Sequence, residues 1–289
     1  MIPGPFTYHR PASVEEAIGL MTSLGEESRP LAGGQSLIPM MKLRMAAPEH
    51  LIDLAGVAGL KRIDAGPDEI RIGAAVTQAQ LIGSALLSER LPILSETALQ
   101  IADPQVRTLG TIGGNLANGD PGNDMPAVMQ CLGAIYVLAG PAGERQVAAR
   151  DYYLGPYFTA LEQGELLVAV RIPAPAAGHG HAYEKLKRKI GDYATAAAAV
   201  VLTATDGRIA TASIALTNVA PTPIVAEEAA RLVIGTSLDA ATVKAASAAA
   251  KAIADPAADG RGTADYRREM AGVMVARALV KAFGRVKGA

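Results

Sequence analysis

Apolar residues in the first part of the chain recur at helical spacing. Ala17, Leu20, Met21 and Leu24 fall on one face of a helix. Ser13 and Glu16 ahead of them have the capping-box spacing, and Gly25 is placed to stop the helix. Arg29-Pro-Leu-Ala then reads as a short strand entering a Gly-Gly pair. Strand-like runs follow at 50–54, 60–64 and 69–74, and Ala65-Gly-Pro-Asp68 joins the last two as a hairpin. Thr77 is placed to cap another helix, and 92–101 is amphipathic.

From Asp103 to Asp124 the periodicity breaks down, which predicts a loop-rich region. A helix is expected at 125–133, with strands near 135–138 and 165–172. The breaker-rich stretch Pro173-Ala-Pro-Ala-Ala-Gly-His-Gly marks a domain boundary. Beyond it come an apolar run at 194–204, an Asp206-Gly207 hairpin turn and a strand at 208–217. The Ala-rich remainder predicts helices near 223–234, 239–254 and 263–284. The fold class is α+β, divided into 1–175 and 176–289.

Two glycine segments carry the candidate chemistry. Leu-Ala-Gly-Gly-Gln-Ser occupies 31–36, and Gly-Thr-Ile-Gly-Gly-Asn occupies 110–115. Glycine lets backbone lie against a bulky ligand, and successive N–H groups in such a turn form a nest for phosphate. Two nests far apart in sequence suit the two phosphates of one dinucleotide, with Gln35, Ser36, Asn115 and Asn118 as side-chain donors. An ordinary tight turn is the competing reading of either segment alone. Neither has the G-x-G-x-x-G fingerprint or the Lys-Ser/Thr of a Walker loop, so neither common nucleotide fold is supported.

Composition narrows the function. A net charge of −1 argues against an electrostatic nucleic-acid binder, and no apolar run approaches the roughly 20 residues of a membrane-spanning helix. The N-terminus lacks the order of a signal peptide, so the expected location is cytoplasmic. Cys131 is the single cysteine, which rules out an internal disulfide or a four-cysteine cluster and reads as a buried thiol. The four histidines are scattered, and no metal ligand set is assigned. Asp124, ahead of a helical run, reads most simply as an N-cap. Lys185-Leu-Lys-Arg-Lys189 reads as a solvated strand face, or as cations flanking a ribose, phosphate or reduced flavin. Tyr193 reads as a core or turn aromatic.

Ala32-Gly33-Gly34-Gln35-Ser36 and Thr111-Ile112-Gly113-Gly114-Asn115 resemble the two FAD-binding loops of the molybdenum hydroxylase flavoprotein subunits, the family that includes the flavin domains of xanthine dehydrogenases. The resemblance covers essentially the whole chain. Within that family, Ile101-Ala-Asp-Pro-Gln, Asn118-Gly-Asp-Pro-Gly-Asn-Asp-Met-Pro-Ala and Tyr183–Ala194 are most similar to the medium subunits of aerobic carbon monoxide dehydrogenases. Gln35 departs from the histidine common in that loop.

The resemblance implies a vanillyl-alcohol-oxidase (PCMH-type) fold, two α/β subdomains of about 1–56 and 57–175 enclosing FAD, followed by a C-terminal α+β domain at 176–289. It implies that 32–36 and 111–115 wrap the pyrophosphate, that Asp124 reaches a ribose or adenine-side hydroxyl, and that Lys187 and Tyr193 lie beside the isoalloxazine. It assigns no catalytic residue to this chain. Molybdopterin and iron–sulfur clusters would belong to a large and a small partner subunit, in a heterotrimer or a dimer of heterotrimers, with electrons passing through FAD to a quinone-type acceptor. Peripheral attachment to the cytoplasmic face of the membrane fits such an acceptor. The competing readings are the flavin subunit of an aldehyde or N-heterocycle hydroxylase, and a nucleotide-binding regulatory protein.

Overall fold

The computed structural model describes residues 2–286. Strands β1 (Thr7–His9), β2 (Ser28–Leu31) and β3 (His50–Asp53) form a parallel sheet in the order β1-β3-β2. Helix α1 (Val14–Leu24) makes the crossover. Ser13 Oγ accepts from Glu16 N–H at 3.1 Å, and Glu16 reaches back to the Ala12 N–H at 2.7 Å, one residue earlier than an ideal capping box. Gly25, with φ +58°, ends the helix as expected. Helix α2 (Leu37–Lys42) follows the first glycine segment.

The second sheet is antiparallel. It contains β4 (Ile63–Ala65), β5 (Glu69–Gly73), β6 (Ile135–Gly140), β7 (Gly143–Ala148) and, after the small hairpin β8 (Tyr153–Gly155) and β9 (Phe158–Thr159), β10 (Leu166–Pro173), in the order β4-β5-β10-β6-β7. The predicted hairpin at 65–68 forms, with Gly66 N–H bonded to Glu69 O at 2.8 Å. The strand expected at 60–64 begins only at Ile63, because 58–61 coil into a 3₁₀ turn that buries Leu60. Strand β7 was not expected: its sequence, GERQVA, is mostly polar and its positions are exposed or half-buried, as befits an edge.

Six short helices fill the space between β5 and β6: α3 (Gln78–Gly83), α4 (Ala85–Arg90), α5 (Pro92–Ala98), α6 (Pro104–Leu109), α7 (Ile112–Ala117) and α8 (Met125–Cys131). Thr77 caps α3 in a complete capping box with Gln80. The predicted loop region 103–124 in fact holds α6 and α7. Asp103 and Thr111 cap them by accepting from Val106 and Gly114 N–H, and Pro104 occupies the first helical position, where its missing N–H costs nothing.

The third sheet is the antiparallel meander β11 (Gly180–Leu186), β12 (Ala196–Thr205), β13 (Arg208–Thr217) and β14 (Ile224–Val225). Asp206 and Gly207 both have positive φ, 52° and 72°, as a tight hairpin between right-twisted strands requires. Helices α9 (Glu227–Val233), α10 (Ala240–Ile253) and α11 (Ala264–Phe283) follow, and α11 covers β11 and β12. Gly180 allows that approach, since a Cβ there would lie 2.0 Å from Ala282 O.

The main core continues across the expected boundary near 176. Ile70, Leu94 and Met129 pack in one cluster with Tyr183, Ala197 and Ala215 of the third sheet. Cys131 lies at this seam, buried as expected, its Sγ donating to Ser213 O at 3.3 Å. Burial pushes its thiol up to about 12.

A second junction joins α11 to α5. Lys281 and Arg285 bond Glu96 at 2.7 and 2.6 Å, and Lys281 also bonds Glu184 at 2.7 Å. Burial pushes the His181 imidazole here down to about 4, helped by Arg285, His179 and Lys281 and opposed by Glu96. Protonation therefore favours the unfolded chain, whose histidine titrates near 6.5. The stability held at this site is full above pH ~6.5 and is lost as pH falls towards 4. Lowering the pH from ~7 to ~5 should reduce the melting temperature, and His181→Gln should flatten that dependence. An unchanged slope in the variant would show that other groups set the dependence.

Candidate cofactor-binding site

The first glycine segment leaves β2 at Leu31 and turns through Gly34, whose φ of +69° favours glycine. Gly34 O accepts from Ile38 N–H at 3.1 Å, starting α2. Among the described residues, the N–H groups of Gly33, Gly34, Gln35 and Ser36 donate to no protein acceptor. Gln35 Nε2 folds back onto Gly33 O at 3.2 Å. This is a row of free donors that runs from half-buried Gly33 and Gly34 to exposed Gln35 and Ser36.

The second glycine segment is built differently. It pairs with 74–78: Gln78 N–H bonds Gly110 O at 2.8 Å, Ile112 N–H bonds Val76 O at 2.9 Å, and Gly113 N–H bonds Ala74 O at 2.9 Å. Gly114 N–H goes to Thr111 Oγ1 at 3.0 Å and Asn115 N–H to Thr111 O at 3.0 Å. The expected second nest of free N–H groups is therefore absent, because helix capping and strand pairing have taken the donors. The glycines serve packing instead. A Cβ on Gly113 would lie 2.7 Å from Ala74 O, and one on Gly33 would lie 2.2 Å from Leu109 O and 2.7 Å from Gly110 Cα. The two segments touch backbone to backbone.

Together they border a cavity of about 540 Å³, within the range of cofactor sites. Ala32, Gly33, Gly34, Gln35, Ser36, Thr111, Gly113, Gly114 and Asn115 line it, whereas Ile112 is buried beneath the surface. Residues not singled out from the sequence line it too, among them Arg29, Gln78, Ile101, Asn123 and Tyr157. Asn123 Nδ2 donates to Asn115 O at 2.7 Å, tying the 120–123 turn to the second segment. Gln78 Oε1 and Asn115 Oδ1 are buried without partners among the described residues. Buried polar atoms of that kind need a ligand or water, and these suit the hydroxyl and amine donors of a nucleotide.

Asp124, Lys187 and Tyr193 are not in the lining. The Asp124 side chain caps nothing, contrary to the simplest reading of the sequence. Its Oδ1 accepts from Tyr183 Oη at 2.5 Å and its Oδ2 from Lys185 Nζ at 2.8 Å, with both partners buried. Burial raises its carboxyl, and Lys185 opposes the shift. Lys185 is accordingly no solvated strand residue: its side chain is 1% exposed. Lys187 is half-buried, its ammonium pulled down by burial and by neighbouring Lys185 and Arg107. The ring of Tyr193 lies on the 120–123 turn, where a Gly122 Cβ would meet it at 2.6 Å, and Arg261 stands 5.5 Å over it. Burial and Asp120 raise its hydroxyl. Glu27, Glu49 and His50 are grouped at metal-ligand spacing, but outside the cavity lining.

Residues 4–175 match the FAD binding domain in molybdopterin dehydrogenase. The chain belongs to that family of flavoproteins. Residues 181–282 match the CO dehydrogenase flavoprotein C-terminal domain. The chain is 63% identical to the carbon monoxide dehydrogenase medium chain of Afipia carboxidovorans, over 99% of this chain and 100% of that one. It is 50% identical to the corresponding chain of Hydrogenophaga pseudoflava, over 99% of each. A solved structure of Cu,Mo-CO dehydrogenase in its cyanide-inactivated form superimposes with a TM-score of 0.97 at 63% identity, covering 99% of this chain and 100% of that chain. The flavoprotein therefore has the PCMH-type fold.

The residues present fit FAD. The free N–H row of 33–36 offers donors for an anionic pyrophosphate, and the orphaned side-chain oxygens of Gln78 and Asn115 offer acceptors for its hydroxyls and amine. When bound, the flavin accepts and passes on electrons, while the protein binds, orients and shields it.

Proposed function

We propose that this chain is the FAD-carrying medium subunit of a heterotrimeric carbon monoxide dehydrogenase. Carbon monoxide and water become carbon dioxide, two protons and two electrons on a large molybdenum subunit. The electrons pass through iron–sulfur clusters of a small subunit to FAD in this chain, and on to a quinone-type acceptor. The 32–36 segment holds the pyrophosphate through the N–H groups of Gly33–Ser36, the 111–115 segment packs against it and borders the same cavity, and Lys187 and Tyr193, in the loop between β11 and β12, flank the ring system where it extends past the cavity lining. The observation that carries the reading is the row of unpartnered N–H groups at 33–36 on a cofactor-sized cavity. The high identity to two carbon monoxide dehydrogenase medium chains supports the substrate over an aldehyde or N-heterocycle. None of the described helices is long and apolar enough to cross a membrane.

Co-expression with both partner subunits tests the assignment. The purified complex should show the oxidised flavin band near ~450 nm, and carbon monoxide should bleach it. A complex that carries flavin but is reduced only by an aldehyde or N-heterocycle would overturn the substrate assignment.

A further inference from the structure

The turn after α5 has an unusual construction. Ile101 lines the cavity, and Ala102, next to it, has φ +43°, a region that residues with a Cβ seldom occupy. Four successive carbonyls leave the end of the helix here, and two cations from different elements take them. Arg107 Nη1 donates to Ile101 O at 2.9 Å, with longer contacts to Ala102 O at 3.4 Å and Leu99 O at 3.5 Å. Lys185 Nζ donates to Gln100 O at 3.2 Å. Lys185 comes from β11, on the far side of the expected domain boundary, and its other bond is to Asp124. The residue before Asp124, Asn123, lines the cavity and holds the second glycine segment. One buried ammonium thus fastens the neighbours of two cavity-lining residues, Gln100 beside Ile101 and Asp124 beside Asn123, to the third sheet.

A buried ion pair is poor evidence of stabilisation, since apolar residues of equal volume commonly do as well. Its use here is geometric. Resting on the reading of the cavity as the FAD site, we propose that Lys185, with Arg107, is a positioning residue for the flavin. It fixes the strained Ile101–Ala102 turn and the Asn123 turn in the relation that the bound cofactor requires. Neither residue lines the cavity. Both act through the backbone they hold.

The test compares the assembled three-subunit complex carrying D124N, D124N/K185M or R107M with wild type. In D124N the lysine keeps its bond to Gln100 O. In the double variant that bond is lost, and no buried charge is left unpaired. The double variant should release FAD about tenfold faster than D124N, and R107M about tenfold faster than wild type. Both should change the visible circular dichroism and midpoint potential of the bound flavin, which a purely structural role would leave alone. Release rates and flavin spectra in the double variant equal to those of D124N would overturn the proposal. Should the double variant fail to assemble, wild-type behaviour of R107M would overturn it. A wild-type complex that carries no flavin would instead overturn the reading of the cavity.

Discussion

Gly33→Val should abolish FAD retention in the assembled complex. The reason is not that the side chain would fill space meant for the ligand. A Cβ at this position would already stand 2.2 Å from Leu109 O and 2.8 Å from Leu109 C, and backbone atoms cannot step aside as a flexible side chain can. The two glycine segments must part, which moves the 33–36 N–H row away from Asn115 and Gln78. Overpacking of this kind typically costs about 1–3 kcal/mol, and the complex also loses the stabilisation given by a ligand that binds only the folded state. Gly19→Ala is the natural control. Gly19 lies exposed in α1, and a methyl group there would meet nothing within 4 Å, so the change should stabilise by about 0.5–1 kcal/mol and leave FAD bound. Flavin content per chain and urea unfolding midpoints check both. Full flavin occupancy in Gly33→Val would contradict the site.

Arg267→Leu should destabilise the chain by about 3–5 kcal/mol. Arg267 is 3% exposed in α11, and its guanidinium gathers three backbone carbonyls from distant segments: Thr195 O at 3.1 Å, Ala257 O at 2.6 Å and Asn218 O. Asp259 balances its charge at 3.3 Å. Leucine would leave those carbonyls buried without donors, and lysine, a single point charge, cannot match the planar fork, so Arg267→Lys should recover little. The carbonyl at 195 lies two residues from Tyr193, and Asp259 also holds the Arg261 that covers the Tyr193 ring. The loss should therefore reach Tyr193 and the loop between β11 and β12. Urea unfolding with intact m-value measures it, and a midpoint within error of wild type would show that the carbonyls find other partners.

What the sequence revealed of the fold follows the range of the interactions involved. Helix α1 and the hairpins at 65–68 and 206–207 are specified by capping and turn residues within a few positions of one another, and they form where local chemistry places them. Helix α7 was hidden by Gly113 and Gly114, which lower local helix propensity; long-range packing of Gly113 on Ala74 and pairing with 74–78 hold it in place. Strand β7 shows little apolar alternation because it is an exposed edge.

The same division runs through the site. The free donors of 33–36 could be read from a local glycine turn. That the donors of 112–115 are already used depends on the carbonyls of Ala74 and Val76, far away in sequence, and on the carbonyl and hydroxyl of Thr111. The burial of Asp124 against Lys185, 61 positions on, leaves no trace in the local pattern of either segment. Gln78 follows a helix cap and carries no local mark of facing a ligand.

The N–H groups of Gly33–Ser36 are the proposed donors to the cofactor's pyrophosphate. Hydrogen–deuterium exchange of the assembled complex, with FAD bound and after its removal, reads those groups directly. Strong protection of 33–36 that appears only with FAD, and little change at 112–115, whose N–H groups are already bonded within the protein, is the expected result. Equal exchange at 33–36 in the two states would contradict it.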